Sequence, residues 1–120
     1  MAQRIAGVCY VKVDGAQLAA RGNWMVNPLT IKRAGIAGQD GIHGYSEEPT
    51  VPFIEGDVST MVEGRVEDLT TVTQATVQID LANGTSYVLR EAWFSGDLSI
   101  NAKDGSYKVR FEGVDCVEYV

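Results

Sequence analysis

The last third of the chain alternates strictly between apolar and polar residues. Ala75, Val77, Ile79 and Leu81 are separated by Thr76, Gln78 and Asp80, and Asn83-Gly84 follows. A side-chain period of two belongs to a strand with one dry face. Asn-Gly supplies the positive φ angles of a tight hairpin turn. The return strand reads TSYVLREAWF, and after DLSIN a second turn falls at Asp104-Gly105. Beyond it, Tyr107, Val109 and Phe111 face away from Lys108, Arg110 and Glu112. A helix cannot collect that pattern on one side, so the chain is mainly β and antiparallel.

The rest of the sequence fits the same class. From Val8, Cys9, Val11 and Val13 share one side and Tyr10 and Lys12 the other, until Asp14-Gly15 offers a turn. WMVNPLTI, from Trp24 to Ile31, is broken by Pro28, which cannot donate to a ladder and so marks an edge or a bulge. TVPFIEGDV is extended, because Pro52 is barred from a helix interior and Val51, Phe53 and Glu55 keep a period of two. Val62, Val66, Leu69 and Val72 recur at spacings of three and four, which predicts one short amphipathic helix between Val62 and Thr73. Short strands, hairpin turns and one short α-helix describe an antiparallel β-sandwich or barrel. With 120 residues there is material for one core, so the chain reads as a single domain over 1–120.

Between those elements lies AGIAGQDGIHGYSEEPTVPFIEGD, with glycine at 35, 38, 41 and 44. A phosphate-binding loop would follow a strand, open a helix and, in its P-loop form, end in Gly-Lys-Ser/Thr. Here no lysine follows, and YSEEPTVP is acidic and holds two prolines. A collagen helix would need many uninterrupted triplets rich in proline. What remains is a long Gly-rich loop, about residues 34–50, that exceeds the usual connection in a compact domain. Ile36, Ile42 and Tyr45 give it apolar anchors, which a plain linker has little reason to carry. The expectation is a loop that docks against another surface.

Catalytic chemistry is poorly provided for. One histidine, His43, two cysteines far apart in sequence and no CxxC or HExxH spacing leave no catalytic residues and no metal set to nominate. Glu47-Glu48 and Glu55 with Asp57 read as solvated charges. No cofactor is expected. Cys9 and Cys116 lie in strand-like contexts and are expected as buried, reduced thiols. No apolar run approaches the roughly 20 residues that span a bilayer, and MAQRIAGVCY does not read as a signal peptide. No membrane partner is expected, and a cytoplasmic origin is the default. A net charge of −6 with sixteen acidic residues spread along the chain disfavours general attraction to nucleic-acid phosphates.

Several blocks together resemble the tail tube proteins of contractile-tailed, Mu-like bacteriophages and prophages. They are YVKVDG, KRAGIAGQDGIHGY followed by PTVPFIEGD, ATVQIDLANGTSYVLREAWFSGD, and YKVRFEG, which together run through most of the chain. The resemblance implies a structural protein without enzymatic activity or cofactor. It implies subunits that join into hexameric rings, rings that stack into a hollow tube within a contractile sheath, and a lumen through which DNA passes unbound. Its implied partners are further copies of itself, the tail sheath protein, the tape-measure protein and baseplate proteins. Its implied location is the virion, after synthesis in the host bacterial cytoplasm. On this reading the glycine-rich segment reaches neighbouring subunits, with Gly38, Gln39, Asp40, Gly41, His43, Gly44 and Tyr45 as its contact core.

Two other readings compete. The tube subunit of an R-type bacteriocin or a type VI-like injection machine would share the fold and the stacking. A small β-barrel that binds an oligosaccharide or single-stranded nucleic acid would need aromatic platforms and, for nucleic acid, a basic groove. Tyr87, Trp93, Phe94, Tyr107 and Phe111 are aromatic, but most occupy alternating positions suited to a core.

Overall fold

The computed structural model describes residues 9–60 and 66–120. Its strands are β1 (Tyr10–Val13), β2 (Ala16–Gln17), β3 (Ala20–Asn27), β4 (Ile31–Gly38), β5 (Gly41–Pro49) and β6 (Phe53–Ser59). After the helix α1 (Val66–Thr70) come β7 (Ala75–Asp80), β8 (Ser86–Phe94), β9 (Ile100–Asn101), β10 (Ser106–Glu112) and β11 (Asp115–Tyr119). Nine strands form one antiparallel system in the order β2-β1-β7-β8-β10-β6-β3, with β11 on β8 and β9 on β10. The predicted hairpins at Asp14-Gly15, Asn83-Gly84 and Asp104-Gly105 are all present. Residue Val62 of the expected helix lies outside the described residues.

Strand β8 joins two layers. Its first half pairs with β7 and β11, whereas Trp93 and Phe94 pair with β10. The switch occurs at a bulge, where Ala75 faces Ala92 but Val77 faces Leu89, so β8 carries one extra residue. Glu91 sits there at a φ of 50°. The bulge resets the pleat, so that Arg90 and Glu91 are both exposed while Leu89 and Ala92 are both buried. Bulges that turn a strand from one sheet to another are a usual way to make the corner of a sandwich.

The two layers share one core. Val11, Val13, Val77, Ile79 and Leu89 come from the first, Ile54, Val58, Val109 and Phe111 from the second, and Leu69 from α1. Phe94 meets Phe111 edge-on, with ring centroids 5.9 Å apart. In β6 the buried residues are Ile54, Gly56 and Val58, so Phe53 and Glu55 occupy the wetter face. There Arg110 bridges Glu55 at 3.1 Å and Glu112 at 3.5 Å, and lies 3.8 Å over the Phe53 ring. Strand β3 is an edge strand, as Pro28 just beyond it implied, and its pairing to β6 is interrupted by register shifts.

Both cysteines are free and half-buried rather than fully buried. Burial pushes the Cys116 thiol up to about 11, with Asp115 adding to the shift, and burial also raises Cys9. The thiolate is the reactive form, so native protein at pH 8 is expected to react with iodoacetamide at least about tenfold more slowly than denatured protein. Equal rates, read by mass spectrometry, would show that both thiols sit in water.

Candidate functional site

The segment expected as a long loop is a hairpin. Strands β4 and β5 form a sheet of their own, joined by the two-residue turn Gln39-Asp40. Its base is closed where the Thr50 N–H donates to the Thr30 carbonyl at 2.9 Å. Two features held the segment back from being read as strands. Glycines carry no side chain to reveal alternation, and Gln-Asp lacks the Asn-Gly signature of a tight turn. The overlooked signal is charge: Lys32-Arg33 and Glu47-Glu48 face each other across the ladder, Lys32 opposite Glu48 and Arg33 opposite Glu47.

The hairpin stands clear of the core. Every residue of β4 is exposed, and in β5 only Gly44 is partly covered. At about 3.3 Å per residue, an eight-residue strand reaches roughly 26 Å. The described chain accordingly has a Cα radius of gyration of 17.2 Å, against about 14 Å for a compact domain of this length. Ile36, Ile42 and Tyr45 are 47%, 87% and 64% exposed. A lone two-stranded hairpin is marginally stable in water, and large apolar side chains held out on one are a mark of an interaction surface.

All seven expected contact residues lie on this hairpin. Gly38 ends β4, Gln39 and Asp40 make the turn, and Gly41, His43, Gly44 and Tyr45 belong to β5. The register slips between Ile36 and Ala37, which face Gly44 and Ile42, leaving His43 as the extra residue of a bulge. Gly41 and Gly44 take φ values of 135° and 139°, which side chains resist. The His43 ring lies over Gly38, where an added Cβ would come within 2.4 Å of it. His43 Nε2 meets Asp40 Oδ1 at 2.6 Å. That hydrogen bond, followed by one from the backbone, lowers the pKa of Asp40. Further along, Arg33 Nε donates to Glu47 at 2.9 Å and the guanidinium lies 5.9 Å from the Tyr45 ring centroid. Arg33 and Glu47 were not singled out in the sequence.

A second concavity bears on the ligand-binding alternative. An open cleft of about 530 Å³ is lined by Gln74, Thr76, Arg90, Glu91, Val114 and Asp115. None of these is aromatic, and Arg90 is already committed to Asp115 through both of its forked contacts. The hydrogen bonds from Arg90 lower the pKa of Asp115. The core, meanwhile, takes up Tyr107 and Phe111 outright and packs Tyr87 and Phe94 against itself. Neither a stacking platform nor a basic groove emerges from these residues.

Comparison with known proteins agrees with the hairpin and the core. The Mu-like prophage FluMu tail tube protein of Haemophilus influenzae is 27% identical over 116 residues, covering 97% of each chain. Among solved structures, the anti-feeding prophage cap, a tube-terminating cap, superposes with a TM-score of 0.66 at 10% identity over 100% of this chain and 94% of the other. Hcp1 from Flavobacterium johnsoniae gives 0.62 at 9% identity, over 93% and 94% of the two chains. At such identities these two matches speak for the fold. The sequence profile described as phage tail tube protein matches residues 2–118, nearly the whole chain, and the chain therefore belongs to the phage tail tube protein family.

Proposed function

We propose that this protein is the self-assembling subunit of a phage tail tube, in which six copies close into a ring, rings stack, and DNA travels through the lumen inside a contractile sheath. The observation that carries the reading is the free-standing β4–β5 hairpin on a chain of the tail tube family. Its exposed Ile36, Ile42 and Tyr45 have no cover within their own subunit. Head-to-tail contacts between unlike surfaces close around one axis and repeat without limit along it. Assembly also covers strand edges, such as those of β3 and β11, that a lone domain leaves open.

The role is structural and needs no cofactor. A net charge of −6 suits a conduit through which phosphates slide without sticking. Sheath, tape-measure and baseplate proteins are the further partners, and the virion is the place of work. A bacteriocin or type VI-like tube would use the same architecture, and the fold likeness to Hcp1 is consistent with that descent. Family membership favours the phage tail.

Negative-stain microscopy of the purified chain at high concentration, with its mass by light scattering, tests this. Hollow rods or six-fold rings are expected. A monomer at every concentration, also in the presence of baseplate and tape-measure proteins, would contradict the proposal.

A further inference from the structure

The geometry points to one face of the hairpin as its docking face, with Tyr45 as the anchor and a second copy of this chain as the occupant. The inference rests on the tube-subunit reading above and adds which side chains meet the neighbour. The β4–β5 register places Ile31, Arg33, Tyr45 and Glu47 on one face and Ala34, Ile36, Gly44 and Ser46 on the other.

The two faces differ in what they can bury. The first carries Tyr45, 64% exposed, and Ile31, 44% exposed, and Ile42 follows beyond the bulge at 87%. The second offers one large apolar side chain, Ile36, among small ones. Tyr and Arg are the residue types that most often dominate the energetics of interfaces. Here they are also pre-ordered, because Arg33 is tied to Glu47 at 2.9 Å and stacks on Tyr45. Side chains fixed before contact lose less freedom on docking.

Size and charge identify the occupant. A body of 61 × 41 × 28 Å cannot enclose a tube alone, so the wall consists of copies and a hairpin projecting from each copy meets another. Arg33 and Glu47 neutralise each other, leaving this face without net charge. An acidic face would be repelled by a copy carrying −6.

Tyr45 and Ser46 are chain neighbours on opposite faces, which allows a matched test. Tyr45→Arg, Ser46→Arg and Tyr45→Phe are each assembled beside the wild type and pelleted, with circular dichroism melts confirming that every subunit is folded. Tyr45→Arg is expected to lower the sedimentable fraction about tenfold or more, as for loss of a dominant contact. Ser46→Arg is expected to stay within about twofold of wild type, and Tyr45→Phe to assemble normally because it keeps the ring. Assembly of Tyr45→Arg, or loss of assembly with Ser46→Arg, would overturn the face assignment while leaving the tube reading intact. Failure of the wild type itself to assemble would remove both.

Discussion

Deleting Gly38 to Gly44 is expected to abolish tubes while leaving the subunit folded. The hairpin forms a sheet separate from the nine-stranded system and contributes none of the buried core residues. Its removal therefore takes away little of the apolar burial that stabilises the domain. What the deletion does remove is the turn, the His43–Asp40 contact and Ile42, and with them the far end of the projecting arm. A melting temperature within a few degrees of wild type, together with loss of all sedimentable material, is the expected result. Gly41→Val should act in the same direction through the backbone, since its φ of 135° is one that a β-branched residue cannot adopt without strain. Normal tubes from the deletion variant would remove the hairpin from the assembly mechanism.

The second large effect is expected in the core. Gly56 lies beneath the Trp24 indole, and a Cβ built there would come within 2.2 Å of Trp24 Cδ2. Trp24 is held over it by its Nε1–H, which donates to the Asp57 carbonyl at 3.1 Å. Gly56→Val cannot coexist with that arrangement, so the indole must leave or the β3–β6 pairing must open. Overpacking and the loss of a large aromatic contact together are expected to destabilise the fold by about 3 kcal/mol. The readout is a lower urea midpoint with an unchanged slope. Gly22→Val serves as the control, since nothing lies within 4 Å of the Cβ it would add. A Gly56→Val midpoint equal to wild type would show that Trp24 does not depend on this contact.

Trp24 and Gly56 also mark a limit of reading the chain as a string. Alternation announced β7 and β10, and Asn83-Gly84 announced the turn after β7, because a period of two and a positive φ are local requirements. The partnership of Trp24 with Gly56 joins residues 33 positions from the Asp57 carbonyl contact to its donor, and no local pattern encodes it. The bulge at Glu91 was hidden for a related reason. It appears only when β7 and β8 are paired, as one extra residue between Leu89 and Ala92.

The candidate site was legible in part. Isolated apolar residues among glycines identified 34–50 as a segment with work to do outside its own core. The resemblance then picked out Gly38 to Tyr45. That the segment is two strands was obscured by the same glycines, which erase the alternation on which strand recognition depends. Arg33 and Glu47 were passed over because they lie fourteen residues apart and become neighbours only across the ladder. Complementary charges placed symmetrically about a short polar turn are the signal that would have found them.

The most direct test of the account is a cryo-electron microscopy reconstruction of the assembled protein. The account predicts a hollow assembly in which the Ile31–Pro49 hairpin of every copy lies on a neighbouring copy, with the Tyr45 ring covered. An assembly held together by the main sheet alone, with the hairpins projecting into solvent, would contradict it.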